Sequence, residues 1–322
     1  MKIDKIVLIC ILALIVIGVI CLLVFSTINP NNANNDENKL TVVTTNFVAY
    51  DFVKHIVGDK VNIEYLLKPG VELHGYDPTA QDIIKMSNAD LVIYVGTTLE
   101  NWMEKVKPTI EQADAKVVSL VDMIELLHHE EIDGAQEDEH EGEEHHHEFD
   151  EHVWTSPANA IIIVENLVIE LSNLLPEYAD FFNTNGQAYI AQIRDVQAQI
   201  QEIVDNKVRD RLIFGDKMPM AYFIHEYGLQ VSAAFAGCST ETEPSEATIA
   251  NLINKVKEYK VPVVLYVEMS TGKVAKTIAD EAGVTAIQIQ TMHNVSKEDF
   301  NNGETYVSLM IRNLSVLKAA LQ

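Results

Sequence analysis

The sequence predicts an α/β protein of two lobes, each with a parallel-type β-sheet, joined by a long connecting helix. Two observations support this fold class. Strand-like and helix-like segments alternate in two separate blocks, and a long helical pattern lies between the blocks. In open sheets of this kind, ligands collect beyond the carboxyl ends of the strands. We therefore expect a ligand site in the cleft between the lobes.

The first β/α block begins with β-branched residues at 40–44, which an amphipathic segment at 47–57 follows. Lys68-Pro69-Gly70 ends the second strand-like run. The predicted strands of this block are 40–44, 61–67, 89–95 and 116–120, and its predicted helices are 47–57, 79–87 and 99–106. Their alternation requires a parallel sheet covered on both faces.

Two helices precede the second block. Ser156-Pro157 is typical of a helix start, and the apolar spacing continues to about residue 175. A helical pattern then extends over 177–207 and predicts the connecting helix. The second block has predicted strands at 212–215, 230–235, 261–267 and 285–290, and predicted helices at 219–227, 244–259, 273–282 and 305–320.

The N-terminus carries an apolar run, Ile6 to Phe25, after Lys2 and Lys5. This length favours a retained transmembrane anchor with the rest of the chain outside the cytoplasmic membrane, and a cleaved signal is the alternative. The predicted organisation is an anchor or signal at 1–27, a polar tether at 28–39, an N-terminal lobe at 40–176, the connecting helix at 177–207 and a C-terminal lobe at 208–322.

A loop at 128–151 within the first lobe is rich in histidine and carboxylates and contains no lysine or arginine. Such a segment is predicted to be flexible and to bind cations, and its alternative interpretation is a solvated acidic linker. The net charge of −25 argues against a nucleic-acid partner. The candidate low-affinity ligands of the loop are His128, His129, His140, His145, His146 and His147.

Three further histidines could line the cleft, because each follows a predicted strand or the loop that leaves one. They are His74, His152 and His293. Their similar placement in a chain with a histidine-rich loop favours a metal site that binds zinc or a similar ion.

Two motifs carry a resemblance to a known family. His74-Gly-Tyr-Asp-Pro-Thr, and Asp-Glu-His152-Val-Trp-Thr-Ser-Pro after the loop, resemble motifs of the zinc/manganese substrate-binding proteins of ABC importers. The resemblance covers about 40–322 and implies one divalent ion held between two lobes by about four ligands. His74 and His152 match the first two ligands residue by residue.

The resemblance is less regular at the other two ligands. Lys217 stands about where the family has its third ligand, a histidine or glutamate, and Asp216 is the nearest carboxylate. The family's fourth ligand is usually an aspartate in the loop before the last helix, where this chain has His293.

Other residues could replace the third ligand. Cys238, Glu241 and Glu243 follow a strand and offer a thiol and two carboxylates, although the same stretch suits an ordinary helix N-terminus. Glu268 follows another strand and is a further candidate. Three histidines with a carboxylate favour Zn²⁺ over Mn²⁺.

The expected function is that of an extracytoplasmic solute-binding protein that captures Zn²⁺ and delivers it to an ABC permease with its ATPase. One alternative is a surface zinc buffer or adhesin without a transporter. Another is an extracellular zinc hydrolase, which the absence of His-Glu-x-x-His and of a nucleophile elbow disfavours. We expect no enzymatic activity, because a fully ligated ion binds without catalysing.

Overall fold

The N-terminal lobe contains a parallel sheet. The computed structural model describes residues 39–71, 73, 75–128, 132–135, 149–235 and 244–322. Within them the strands of this lobe pair in the order β2-β1-β3-β4, and every pair is parallel. The strands are β1 (Thr41–Thr44), β2 (Asn62–Tyr65), β3 (Leu91–Tyr94) and β4 (Lys116–Ser119), and the helices are α1 (Phe47–Val57), α2 (Ala80–Ser87) and α3 (Met103–Gln112).

Two helices follow the N-terminal sheet, α4 (Pro157–Leu174) and α5 (Ala179–Asp205). The C-terminal sheet has the order β6-β5-β7-β8 and is again parallel. Its strands are β5 (Arg211–Lys217), β6 (Gln230–Phe235), β7 (Val263–Val267) and β8 (Thr285–Ile289), and its helices are α6 (Ala221–Tyr227), α7 (Glu246–Tyr259), α8 (Lys273–Ala282), α9 (Lys297–Asn301) and α10 (Tyr306–Leu321). The predicted fold class is confirmed.

The connecting helix is α5, which spans 27 residues. One face of it is buried, at spacings of three and four residues from Phe182 through Ile193 to Ile200. Gly186 lets α4 approach closely, since a Cβ at this position would collide with the Val168 side chain. The helical pattern predicted at 177–207 therefore corresponds to one continuous helix packed along α4.

A buried carboxylate joins three helices. Asp51 of α1 accepts hydrogen bonds from the Tyr189 hydroxyl of α5 and, at 3.0 Å, from the backbone N–H of Tyr306 at the start of α10. Its Oδ1 lies 3.4 Å from His55 Nδ1. The Phe52 ring meets the Tyr306 ring edge-on at 5.1 Å. The last helix of the chain is thereby held against the first and against the connecting helix.

The helix after β3 differs from its prediction at 99–106. Residues Thr97–Glu100 form a 3-10 turn, and α3 begins at Met103. The reason is Glu100, whose buried Oε2 accepts hydrogen bonds from the backbone N–H groups of Val95, at 2.5 Å, and Gly96, at 3.4 Å. Its carboxylate therefore binds the carboxyl end of β3. Burial raises the pKa of Glu100 to about 7, and hydrogen bonds from Thr45, Val95 and Gly96 oppose the rise.

Several predictions concern residues outside the described ranges. The apolar run 6–25 and most of the tether are among them. No helix in the described ranges is long and apolar enough to cross a membrane. Residues 40–322 form one compact unit, so the predicted lobe boundaries at 176–177 and 207–208 stay predictions.

Replacing Glu100 by glutamine should change how stability depends on pH. The folded-state pKa of Glu100, about 7, lies above the ordinary value of 4.5. The protonated carboxyl group is therefore favoured in the folded state, and its contribution to stability is fully present at low pH. That contribution is lost as the pH rises from the unfolded-state pKa to the folded-state pKa. Glutamine does not titrate. Relative to wild type, Glu100→Gln should therefore gain about 2–3 kcal/mol of unfolding free energy between about pH 5 and pH 8.

Denaturant unfolding at the two pH values measures this difference. Glu104→Gln, at an exposed position of α3, is the matched control and should give a much smaller pH-dependent change. If the unfolding free energies of wild type and Glu100→Gln differed by the same amount at both pH values, the raised pKa of Glu100 would be contradicted.

Candidate metal centre

His152 lies where the histidine-rich loop re-enters the fold, just before a 3-10 turn at Val153–Thr155. The residue is 1% exposed. Its backbone N–H donates to Asp150 Oδ1 at 2.8 Å, and its Nδ1 lies 3.2 Å from the same oxygen. A carboxylate at Nδ1 favours the tautomer in which Nε2 carries the lone pair. Asp150 therefore holds His152 in the tautomer whose Nε2 could bind a metal ion.

The base of the loop is closed by backbone bonds. The Asp150 N–H donates to the Leu127 carbonyl at 3.0 Å, and the Tyr222 hydroxyl donates to the Asp150 carbonyl at 2.8 Å. His128 pairs with Phe149 in an isolated antiparallel bridge, and their rings lie 4.5 Å apart. His128, a predicted low-affinity ligand, is thus found at the closed base of the loop.

His293 lies in the loop after β8, and a buried carboxylate sets the backbone of that loop. Glu268, directly after β7, accepts bonds from the Thr291 N–H at 2.7 Å, the Thr291 hydroxyl at 2.7 Å and the His293 N–H at 3.0 Å. Met292, between the two donors, has φ = +56°. This left-handed conformation is strained for a residue with a side chain. The three bonds hold it in place.

Glu268 was a candidate ligand, and its hydrogen bonds bear on that role. Burial raises the pKa of Glu268, and the bonds from Thr291 and His293 counteract part of the rise. A carboxylate has about four lone-pair sites, and the loop occupies three of them. The hydrogen bonds show that Glu268 positions the His293 backbone, and its role as a metal ligand stays a prediction.

The loop that carries His293 also contacts the N-terminal lobe. Asn294 Oδ1 accepts a bond from the Tyr65 hydroxyl at 3.0 Å, and its Nδ2 donates to the Val71 carbonyl. The Gly70 N–H donates to the Val295 carbonyl at 2.8 Å. These bonds connect the carboxyl ends of strands from both sheets. The site therefore lies at the junction of the lobes, as the fold class predicts.

The structure brings His152 and His293 together. Their ring centroids are 5.3 Å apart. The Trp154 indole N–H donates to the Thr291 carbonyl at 2.9 Å, and the Tyr306 hydroxyl donates to the Trp154 carbonyl at 2.9 Å. Two imidazoles at this separation can turn one nitrogen each towards a shared ion at about 2.0–2.1 Å. The pair is therefore the candidate core of a metal site.

A cavity of about 40 Å³ adjoins His293. Glu268, Met269 and Lys217 line it from the C-terminal lobe, and Val71 lines it from the N-terminal lobe. Its size exceeds the roughly 10–15 Å³ that one water molecule requires. An ion and a small ligand could occupy this space.

The end of β5 presents Lys217 to that cavity, whereas Asp216 is not among the lining residues in the described part of the chain. Asp216 Oδ1 accepts the Lys217 N–H at 2.9 Å, and its Oδ2 is buried without a hydrogen bond to any described residue. The pairing of β5 with β6 shifts register between Phe214 and Lys217. This irregularity alters the alternation of side chains at the strand end.

The other predicted site residues lie outside the described ranges. They are His74, Cys238, Glu241, Glu243, His129, His140, His145, His146 and His147. Among the residues that are described, no group of three or more histidines, cysteines and carboxylates is arranged to hold a metal ion. Of the three histidines predicted to line the cleft, His152 and His293 are the two that lie within the described ranges.

Sequence reasoning missed two contributors. Asp150 precedes His152 by two residues, and this spacing was a usable signal because a carboxylate so close can reach back to the imidazole. Trp154 bridges to the Thr291 carbonyl across 137 positions, and nothing local indicates such a contact.

Comparison with known proteins agrees with this architecture. A family model described as ZnuA, zinc-uptake complex component A, periplasmic, matches residues 42–320. The zinc-binding lipoprotein AdcA of Streptococcus pneumoniae is 32% identical over 289 residues, which are 89% of this chain and 57% of AdcA. The chain thus spans a little over half the length of that relative.

Two further matches cover almost the whole of the compared protein. The high-affinity zinc uptake system protein ZnuA of Bacillus subtilis is 32% identical over 295 residues, or 90% of each chain. The crystal structure of the Zn(II)-bound ZnuA-like domain of Streptococcus pneumoniae AdcA has a TM-score of 0.74 and 30% identity, and the match covers 88% of this chain and 99% of that one. With the family model matched over residues 42–320, the chain belongs to the ZnuA family.

Proposed function

We propose that this protein captures one zinc ion between its two lobes and delivers it to an ABC permease with its ATPase. The observation that carries the proposal is the buried pair His152 and His293, whose ring centroids are 5.3 Å apart. Asp150 orients one imidazole, and Glu268 fixes the backbone of the other. Such outer partners hold metal ligands in a binding geometry before the ion arrives.

The chemistry of the ligands favours zinc over manganese. Imidazole is a borderline donor that suits zinc, whereas manganese is better served by oxygen ligands. In the proposed site His74 joins His152 and His293, following the residue-by-residue match of the first motif. Asp216 is the sequence candidate for the remaining position, and Lys217 is the β5 residue that lines the cavity.

The proposed location is outside the cytoplasmic membrane, where a capture protein meets the ion and its permease. The relatives named above include a zinc-binding lipoprotein, which supports a place at the membrane surface. We propose that the apolar run 6–25 attaches the chain to the membrane, with a cleaved signal as the alternative.

The histidine-rich loop is proposed to collect zinc weakly near the tight site. Asp133 docks the loop on the C-terminal lobe, because its carboxylate accepts bonds from Arg211 at 2.9 Å and from Lys255 at 2.7 and 2.8 Å. These bonds lower the pKa of Asp133, the Lys255 bond most of all. The loop is thereby held at two points, at its base through the Leu127–Asp150 bond and on the C-terminal lobe through Asp133.

Replacing either central histidine should weaken tight zinc binding. His152→Ala and His293→Ala each remove one of about four ligands, so we expect a loss of affinity of at least about a hundredfold. Calorimetry of the full-length chain, first with Zn²⁺ and then with Mn²⁺, measures the affinities.

His225→Ala is the matched control, because His225 is exposed on α6 and does not line the cavity. Unchanged tight binding in both test variants would contradict the site.

Zinc affinity should fall as pH drops from about 7 to 5, because protons compete with the metal for imidazole nitrogens. With two or more histidine ligands, the apparent affinity should drop by about a hundredfold or more per pH unit below the pKa of free imidazole side chains. Competition against a chelator of known pH dependence measures it. A flat profile over this range would exclude histidine ligation.

Replacing His140, His145, His146 and His147 by serine should reduce the number of zinc ions bound at high concentration while leaving the tight site intact. The four changes keep the loop length and its Asp133 anchor. Equilibrium dialysis gives the stoichiometry, and chelator competition gives the tight affinity. Loss of the tight site would mean that these histidines belong to it.

A further inference from the structure

Lys217 brings a positive charge into the cavity that the proposed function assigns to a metal cation. It is the last residue of β5 and lines the cavity together with His293 and Glu268. Within the described residues, its Nζ has no hydrogen-bond or ion-pair partner. A lysine side chain is protonated near neutral pH, and like charges at short range repel. A zinc ion beside Lys217 would therefore be stabilised by an anion that contacts both cations.

Among the described residues, the carboxylates near the cavity do not supply that anion. Glu268 lines the cavity, but its oxygens accept three bonds from Thr291 and His293, and it forms no ion pair with Lys217. Asp216 is outside the lining. The histidines that would bind the ion are neutral when they do so. A zinc ion at His293 would thus add two positive charges beside the ammonium group.

The cavity has room for the missing anion. Its volume of about 40 Å³ corresponds to a few water-sized groups at roughly 10–15 Å³ each. A carboxylate group is of this size. Its two oxygens can contact two cations at once, and a charge-assisted bond to an ammonium group is short and strong. Thr291 and Asn294, which also line the cavity, already have bonds of their own.

We propose that zinc binds in this cavity together with one small carboxylate anion, which contacts both the metal and the Lys217 ammonium group. The inference rests on the proposed capture function and names a co-ligand for the same site. The anion is either a free monocarboxylate or the carboxylate of a small zinc chelate such as an amino acid. In both cases the Lys217 ammonium group binds the anion, since no carboxylate among the described residues forms an ion pair with it.

Zinc affinity of the full-length chain, measured as a function of carboxylate concentration, tests the proposal. A chromophoric chelator competes with the protein for zinc in carbonate-free nitrate buffer at constant ionic strength. Its absorbance gives the free zinc concentration and hence the occupancy of the tight site. Acetate and glycine are titrated in separate arms. Where the anion is not saturating, each tenfold rise in its concentration should raise the apparent zinc affinity about tenfold, as linked binding of one anion requires.

Two variants isolate the role of the ammonium group. Lys217→Met keeps the length of the side chain and should abolish the dependence on acetate and glycine. Lys217→His supplies a protein ligand at the same position and should bind zinc tightly with neither anion. Lys276→Met is the matched control, because Lys276 is an exposed lysine of the same lobe outside the lining, and it should keep the wild-type dependence. Circular dichroism melts verify that each variant is folded.

The outcomes separate the co-ligand from the capture function. An effect of acetate supports a free carboxylate, and an effect of glycine alone supports a delivered chelate. Tight zinc binding by wild type that is independent of both anions would overturn the carboxylate co-ligand and leave zinc capture standing. The same holds if Lys217→Met retains the full anion dependence. Failure of wild type to bind zinc tightly in any arm would overturn the proposed function itself.

Discussion

The Glu268 carboxylate, buried at the carboxyl end of β7, accepts bonds from Thr291 and His293 and thereby determines the backbone of the loop after β8. Burying a charged group is costly unless it is hydrogen-bonded, and here the compensating donors belong to the segment that carries His293. The positive φ of Met292 is stabilised by the same bonds. Trp154 then ties the Thr291 carbonyl to the His152 segment, so both histidines depend on one polar network.

The N-terminal lobe uses the same device. Glu100 binds the backbone N–H groups of Val95 and Gly96 at the carboxyl end of β3, much as Glu268 does beyond β7. In both lobes a buried carboxylate holds the backbone at the edge of the sheet that faces the junction. Burial raises the pKa of each of the two groups. Asp51 extends the pattern, because it ties the start of α10 to α1 and the connecting helix. Charge buried in the fold thus serves to hold backbone around the site.

This arrangement explains why the cavity has a cationic side. Glu100 and Glu268 are engaged with backbone donors, and Lys217 lines the cavity from the end of β5. A site with neutral imidazoles and an ammonium group differs electrostatically from one completed by a protein carboxylate. A cation in such a site is best stabilised with an accompanying anion.

The sequence by itself determined the β/α alternation, the connecting helix and the placement of His152 and His293 after strand and loop ends. These features follow from local periodicity, helix-start signals and the rule that ligands lie beyond the carboxyl ends of parallel strands. The tertiary structure decided which groups face the cavity. The sequence presents Glu268 as a possible ligand, and only the fold shows that it also supports the loop, through partners 23 to 25 positions away.

Asp216 and Lys217 also show that sequence alone does not decide which side chain faces the cavity. They are neighbours in sequence, and a register shift between Phe214 and Lys217 accompanies the placement of Lys217 in the cavity lining without Asp216. The facing of a strand residue depends on how its strand pairs, and pairing is a contact between distant segments. Residue types and spacing therefore indicated a metal site, and only the packing of the two lobes decided that Lys217 and not Asp216 is among the described residues that line the cavity.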